Sequence, residues 1–158
     1  MILLASQSSG RLATLRAAGV EPLVRVSDVD EHAVLRVLAA DSRQEPTPVQ
    51  QVQALARAKA EEVAAAVTRA EREADPSLVV VGCDSMLEID GRVVGKPGTS
   101  EIARARWQSM RGRTGVLHSG HALVRVGNGA RAGGVSSTTV RFGSPTDAEI
   151  DAYVATGE

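Results

Sequence analysis

Aromatic side chains are nearly absent from this chain of 158 residues, where they make up 2% of the composition. Binding of single-stranded nucleic acid by base stacking needs exposed rings, so this composition argues against it. A basic block is also lacking, and the net charge of −1 gives little support for binding to a phosphodiester backbone. We therefore expect no nucleic-acid partner, and a core built from valine, leucine, isoleucine and alanine.

Cysteine and long hydrophobic runs are scarce as well. Cys83 is the one cysteine of the sequence, so no disulfide can form within the chain, and a reducing compartment is the natural assumption. Residues 1–5 are too short for the core of a signal peptide, and no apolar run approaches membrane-spanning length. These features predict a cytoplasmic protein with no membrane partner. The three scattered histidines give no zinc-ligand spacing.

Residues 78–97 are the stretch around which the chain is organised. They open with Leu-Val-Val-Val, long enough for a strand buried on both faces, and the Gly-Cys-Asp-Ser that follows predicts the end of that strand. Asp84 is therefore expected at the carboxyl end of a central strand, where open α/β sheets place their ligand chemistry. Asp90-Gly91 has the spacing of a two-residue hairpin with a type I′ turn. The hairpin returns the chain to Lys96, and a carboxylate with a lysine suits a metal-bound anion.

A second anion-binding feature lies near the amino terminus. Residues 2–5 predict a strand, and a serine-rich loop then leads into a helix that ends at Gly19. Ser8 or Ser9 can cap this helix, which leaves backbone N–H groups free to face an anion. Arg11 falls in the first helical turn, where a cation opposes the helix dipole and a bound anion would reverse that cost. A side chain that projects into solvent is the alternative.

Acidic residues cluster after a predicted strand at residues 22–26. Asp28, Asp30 and Glu31 could hold a divalent cation through hard oxygen ligands. Acids at the start of a solvated helix give the same pattern, because they favour the positive end of the helix dipole. Both interpretations stay open at this point.

Residues 49–74 carry the strongest helical pattern of the chain, with an apolar stripe that begins at Val52 and Leu55. Lys59 falls within that stripe instead of on the polar face. Its ammonium is predicted either to snorkel to the surface or to project into a cavity over the sheet. Glu61 and Glu62 are its candidate partners.

The carboxyl-terminal half predicts two helices and two strands. Ser100 can cap a helix that ends at Gly112, and residues 117–126 and 135–142 resemble antiparallel strands with a glycine-rich connection. Because that connection lies between strands and opens no helix, it is not a dinucleotide-binding loop. A capping box at residues 146–149 begins a last helix. We expect a single α/β domain over residues 1–158, with a mixed twisted sheet, flanking helices and a cleft.

Several of these motifs, taken together and in order, resemble the Maf family of nucleoside triphosphate pyrophosphatases, also described as septum-formation inhibitors. The motifs are Leu-Ala-Ser-Gln-Ser-Ser-Gly-Arg-Leu at residues 4–12, Asp30-Glu31, Ala-Leu-Ala-Arg-Ala-Lys-Ala at residues 54–60, Gly-Cys-Asp at residues 82–84, Gly-Lys-Pro at residues 95–97, Met-Arg-Gly-Arg at residues 110–113, Ser119-Gly120, and Tyr-Val-Ala-Thr-Gly-Glu at residues 153–158. The Cys-Asp-Ser form and the glycine before Arg11 are similar to the actinobacterial branch.

The chain also departs from the family pattern. Ser9 and Gly10 replace the family's proline and first arginine, and Gly115 stands where a histidine is usual. The sequence stops at Glu158, before the family's Lys-Ala-Gly segment. The resemblance therefore implies a truncated sequence or a shortened member. The alternative function is a catalytically impaired nucleotide-binding or regulatory protein of cell division.

The resemblance implies a Maf/inosine triphosphatase-like fold, a homodimer, and a house-cleaning enzyme that hydrolyses nucleoside triphosphates to the monophosphate and pyrophosphate. Asp84 would be the general base or a metal ligand, and Glu31 with Asp30 would hold Mg²⁺ or Mn²⁺. The residues implied to bind the phosphates are Ser6, Arg11, Lys59 and Lys96. The base could be a pyrimidine, as in dTTP and UTP, or 7-methylguanine, with the pyrimidines favoured.

A rival from another class is a cysteine hydrolase that uses Cys83 with His118 or His121. Nothing in the sequence holds a histidine near Cys83, and a cysteine at the end of a buried strand is usually a packing residue.

Overall fold

The computed structural model describes residues 1–157. In that range the chain forms six strands and six helices. The strands are β1 (Ile2–Ala5), β2 (Leu23–Val24), β3 (Val79–Ile89), β4 (Arg92–Val94), β5 (Thr114–Arg125) and β6 (Arg131–Arg141). The helices are α1 (Ser9–Ala17), α2 (Glu31–Asp41), α3 (Pro48–Ala65), α4 (Arg69–Ala74), α5 (Ser100–Met110) and α6 (Asp147–Ala155).

The six strands form one mixed sheet in the order β2-β1-β3-β5-β6, with β4 paired to β3 off this path. β1 runs parallel to both β2 and β3, whereas β4 runs antiparallel to β3. The α/β class, and the mixed sheet with flanking helices, are therefore confirmed. No helix within residues 1–157 is long and apolar enough to cross a membrane.

The chain divides into two compact units. The first contains residues 1–85 and 119–136, and the second contains residues 86–118 and those from 137 onward. β3, β5 and β6 contribute residues to both units. Most of the predicted site residues belong to the first unit.

The core of the first unit is aliphatic, as the low aromatic content predicts. Its buried cluster consists of Leu3, Ala5, Ala56, Ala60, Val63, Ala64, Val67, Leu78, Val80, Ala122, Val124 and Val126. Most of these side chains come from β1, β3, β5 and α3, and Val67, Leu78 and Val126 lie one or two residues beyond the ends of these elements. The stripe predicted for residues 49–74 is thus largely buried, and its residues Ala56 and Val63 share one buried cluster with residues of β1 and β3.

Gly82 of β3 allows α3 to approach the sheet closely. A Cβ at this position would lie 2.2 Å from the carbonyl oxygen of Ala56 and 2.7 Å from the backbone nitrogen of Ala60. Contacts this short exclude any side chain larger than hydrogen. The position of α3 over β3 therefore depends on a glycine at residue 82.

The prediction of one helix over residues 49–74 was wrong, because the chain breaks between α3 and α4. Thr68 caps α4: its hydroxyl accepts from the backbone nitrogen of Glu71, and the Glu71 carboxylate accepts from the backbone nitrogen of Thr68. This reciprocal capping box satisfies backbone groups that would otherwise continue the helix. The Thr-x-x-Glu spacing is a local signal of that break.

The prediction that the central strand ends at residues 82–85 was also wrong. Pairing of β3 with β1 stops at Ala5 and Gly82, but β3 continues to Ile89 because β5 and β4 still pair with it. Asp84 thus lies inside the strand, two residues beyond its parallel pairing with β1. The hairpin turn is confirmed, since Asp90 and Gly91 have φ angles of 49° and 73°, the positive values of a type I′ turn.

Smaller differences concern element ends. The strand predicted at residues 22–26 is reduced to Leu23–Val24, and Thr99, not Ser100, caps α5. The cap of α1 is Ser8, whose hydroxyl accepts from the backbone nitrogen of Arg11. The capping box predicted at residues 146–149 is confirmed. Glu158, the last residue of the carboxyl-terminal motif, lies outside the described residues.

Replacing Gly82 with alanine should destabilise the first unit. We expect a loss of about 1–3 kcal/mol or more in the free energy of unfolding, because the new methyl group meets backbone atoms of α3 that cannot rotate away. Urea unfolding followed by far-UV circular dichroism measures this loss. The control is Gly134→Ala, where no atom lies within 4 Å of the added Cβ. Equal stability of the two variants would contradict the close approach.

Replacing Glu71 with glutamine should change the acid limb of stability. Hydrogen bonds from Thr68 are the largest cause, and one from Arg25 is the next, of a lowering of the Glu71 pKa from 4.5 to about 2. A carboxyl with a depressed pKa stabilises the fold above its unfolded pKa, and this contribution is lost as pH falls from 4.5 towards 2. Glu71→Gln should therefore be less stable than the parent at neutral pH, with a difference that shrinks over this window.

Thermal unfolding across that pH range checks the expectation. Glu73→Gln is the control, because its carboxylate has only an exposed ion pair with Arg69, and such pairs contribute little. A stability difference between Glu71→Gln and the parent that is the same at both ends of the window would rule out the proposed linkage.

Candidate active site

Lys59 of α3 is the centre of a charged cluster in the first unit. Its Nζ lies 2.6 Å from Asp84 Oδ1 and 2.7 Å from Glu31 Oε1. The Lys59 side chain is 14% exposed and that of Asp84 is 12% exposed. The ammonium therefore projects into the interior, as one of the two sequence interpretations predicts, and it joins α3 to β3 and α2.

Glu61 and Glu62, the candidate partners of Lys59, do not fill that role. Glu61 instead pairs with Arg131, at 3.0 Å, and Glu62 is exposed. Lys59 lies on the sheet-facing side of α3, between the buried Ala56 and Ala60. Acids on the outer side of the same helix cannot reach an ammonium that points inward.

Asp84 reaches Lys59 because of its register in β3. Gly82 and Asp84 lie on the same face of the strand, since alternate residues point the same way. That face is covered by α3, which approaches closely at Gly82. Glu31 comes from the first turn of α2, whose start is set by Asp30: its Oδ1 accepts from the backbone nitrogen of Ala33 at 2.9 Å.

Opposing effects act on the pKa of Lys59. Burial by itself lowers it, whereas hydrogen bonds and charge attraction from Asp84 and Glu31 raise it, and the net result is a raised pKa. The side chain is thus a cation at neutral pH. A buried charge of this kind persists because both of its partners carry the opposite charge.

A second cluster surrounds Arg11. Its Nη1 donates to Ser6 Oγ at 3.0 Å and its Nη2 donates to Ser85 Oγ at 3.2 Å. Ser6 Oγ also accepts from the backbone nitrogen of Ser8 at 3.2 Å, and Ser85 Oγ lies 2.9 Å from Ser119 Oγ. Arg11 is therefore held between serine hydroxyls, and the alternative that it projects freely into solvent was wrong.

The two clusters meet at consecutive residues of β3, since Asp84 contacts Lys59 and Ser85 contacts Arg11. Two fixed cations therefore lie on either side of one short stretch of strand. Sequence reasoning did not assign a role to Ser85 or Ser119. The signal that could have identified them is their place in the motifs, since Ser85 follows Asp84 and Ser119 precedes Gly120.

Two predicted site residues have other surroundings. Asp30 acts as the cap of α2, and its Oδ2 lies 4.0 Å from Arg36. This is the second of the two sequence interpretations, in which the acids lie at the start of a solvated helix. Lys96 belongs to the second unit, where it is exposed in the segment between β4 and α5. Its role beside a phosphate stays a prediction.

Cys83 does not have the surroundings of a catalytic nucleophile. It is 7% exposed, and burial raises the pKa of its thiol. Across residues 1–157, no hydrogen bond joins it to a histidine. A buried thiol without a neighbouring base is unreactive, so the cysteine-hydrolase alternative has no support.

Comparison with known proteins agrees with these motifs. A family model described as Maf-like protein matches residues 1–158. This chain belongs to the Maf-like protein family. It is 55% identical over 159 residues to a nucleoside triphosphate pyrophosphatase of Saccharopolyspora erythraea, and the match covers 98% of this chain and 71% of the relative. A protein of the same name from Rhodococcus jostii is 52% identical over 158 residues, with the same coverage.

The charged cluster of this Maf-like protein has the donor chemistry for a divalent cation. Glu31 and Asp84 each place an oxygen within hydrogen-bond distance of Lys59 Nζ, so two carboxylates converge on one positively charged position. Mg²⁺ is commonly bound by one or two carboxylates, and substrate phosphates and water complete its shell. Within residues 1–157, no group of three or more His, Cys, Asp or Glu could hold a metal. Glu31 and Asp84 are oxygen donors of the kind such a cation takes, and the Lys59 ammonium occupies the position between them.

Coupling between Lys59 and Asp84 should be measurable as stability. Lys59→Met leaves the buried Asp84 carboxylate without its cation, and loss of one partner of a buried pair costs about 3–5 kcal/mol. The double variant Lys59→Met/Asp84→Asn should cost clearly less than the sum of the two single variants, because they remove the same interaction. Urea unfolding of the three variants measures this difference. Glu31→Gln should lower the free energy of unfolding by less, since the Glu31 side chain is 52% exposed. Losses that simply add in the Lys59→Met/Asp84→Asn double variant would refute the coupling.

Proposed function

We propose that this chain hydrolyses nucleoside triphosphates to the nucleoside monophosphate and pyrophosphate at the site formed by Lys59, Asp84, Glu31, Arg11 and Ser6. The observation that carries the proposal is the largely buried Lys59 ammonium between two carboxylates, together with an arginine that donates to Ser85, the residue after Asp84. Relatives that are about half identical carry the name nucleoside triphosphate pyrophosphatase.

Arg11 and Lys59 supply the charge that a triphosphate needs. Arg11 has five N–H donors, and its contacts with Ser6 and Ser85 leave others for phosphate oxygens. The first turn of α1 adds backbone N–H groups and the positive end of the helix dipole. Lys96, in the second unit, stays a phosphate-binding candidate on the family resemblance alone. Such positions would hold the phosphates in one orientation and neutralise the charge that develops on them.

In the reaction, the oxygen of a water forms a bond to phosphorus and the phosphoanhydride bond between the α and β phosphates breaks. The water loses a proton, and pyrophosphate leaves with the electron pair of the broken bond. Asp84 is the residue proposed to accept that proton, or else to be a ligand of the cation. Lys59 holds the Asp84 carboxylate in place through its 2.6 Å contact.

Glu31 and Asp84 are the residues that would hold a divalent cation, Mg²⁺ or Mn²⁺. When bound, such a cation neutralises phosphate oxygens and acidifies water. Asp30 is a weaker candidate, because its oxygens already serve the start of α2. We propose pyrimidine nucleotides as the preferred substrates over 7-methyl-GTP.

Pyrophosphate release should depend on Asp84. We expect Asp84→Asn to lower kcat at least about a hundredfold, because an amide can neither accept the proton nor neutralise a cation. Pyrophosphate release from dTTP, UTP, CTP, ATP, GTP and 7-methyl-GTP, with Mg²⁺ or Mn²⁺, measures this effect and the base preference together. The control is Glu61→Gln, which changes an acid on the outer side of the same helix as Lys59 and should retain activity.

Retained activity in Asp84→Asn would overturn the assignment of this residue. A folded parent chain that binds a nucleotide, measured by calorimetry, and yet releases no pyrophosphate would instead support the nucleotide-binding or regulatory alternative.

A further inference from the structure

A hydrogen-bonded row of hydroxyl, imidazole and carboxylate lies in the second unit, outside the site described above. His118 Nδ1 is 2.8 Å from Ser137 Oγ, and His118 Nε2 is 2.9 Å from Glu88 Oε2. Ser137 lies on β6, His118 on β5 and Glu88 on β3. Three strands of one sheet therefore place a potential nucleophile, base and orienting acid in line.

The partners of the imidazole determine its tautomer. An ionised carboxylate can only accept hydrogen bonds, so Nε2 carries the proton that is donated to Glu88. In the neutral ring, Nδ1 is then the nitrogen without a proton, and it accepts from the hydroxyl of Ser137. The Ser137 hydroxyl thus points its proton at a free base, which is the arrangement that activates a serine.

Exposure differs along the row, and the serine is its most exposed member. His118 is 7% exposed, so the base is held by its surroundings, and the Glu88 side chain is 28% exposed. Ser137 is exposed and can be reached from solvent. The ring nitrogens are used in the opposite sense to the familiar serine-protease triad, but the roles of the three groups are the same.

We propose that Ser137 is a nucleophilic serine that takes acyl groups from activated esters. The bond between Ser137 Oγ and the carbonyl carbon forms, the bond from that carbon to the leaving oxygen breaks, and the hydroxyl proton passes to His118 Nδ1. The leaving group departs with the electron pair of the broken bond. The product is an acyl ester on Ser137, and His118 returns the proton to the departing oxyanion or to water. Glu88 is a positioning residue that holds the ring.

Acetylation by p-nitrophenyl acetate tests this proposal on the whole chain without any nucleotide. Peptide mass spectrometry after short exposure measures the rate at each hydroxyl. We expect Ser137 to be acetylated at least about tenfold faster than its neighbour Ser136, since a positioned general base gives a factor of that size or more. Ser136 is also exposed but points to the other face of the strand, away from His118.

The His118→Gln variant should lose this advantage, and Glu88→Gln should reduce it several-fold. Equal rates at Ser136 and Ser137, or an unchanged rate at Ser137 in folded His118→Gln, would overturn the proposal. If His118→Gln does not fold, the parent chain unfolded in urea replaces it. Selectivity for Ser137 that survives in urea would show that the hydrogen-bonded row is not its cause, and would also overturn the proposal.

Discussion

The ion pair of Lys59 with Asp84 and Glu31 is the interaction on which the candidate active site depends. A charged group that is 14% exposed is tolerable only if opposite charges replace its lost hydration. Here the two carboxylates come from a strand and from the start of another helix, so the pair also sets where α2 and α3 meet β3. Its geometry requires that α3 lie almost against the strand, and this approach exists because residue 82 is a glycine.

Charge balance explains why a phosphate ligand suits this region. Around Lys59, two carboxylates exceed one ammonium, which favours an additional cation. Around Arg11, the guanidinium donates to two serine hydroxyls and lies in the first turn of α1, a combination of positive charges that favours an anion. A metal-bound triphosphate carries both kinds of charge. The two clusters use consecutive residues of β3, Asp84 and Ser85.

Much of the fold could be predicted because its signals are local. The type I′ hairpin at residues 90–91, the cap of α1 and the capping box of α6 follow from residue types within a few positions of one another. The apolar stripe of α3 follows from helical periodicity. The break at Thr68 had a local signal too, but the apolar periodicity that continues through Val67 concealed it. The hairpin pattern predicts extended chain before Asp90, but the joining of that arm with residues 79–85 in one strand depends on neighbouring strands, which the local pattern does not contain.

The sequence by itself determined the α/β class, the aliphatic core, the place of Lys59 within an apolar stripe and the motifs of the Maf-like family. It did so because these properties depend on composition, on periodicity and on the order of short motifs. Only the tertiary structure decided that Lys59 pairs with Asp84 and Glu31 and not with the acids one turn away, and that Arg11 is held by Ser6 and Ser85. The same holds for the row of Glu88, His118 and Ser137. Such partners are distant along the chain, and the packing of α3 on the sheet and the register of the strands bring them within hydrogen-bond distance.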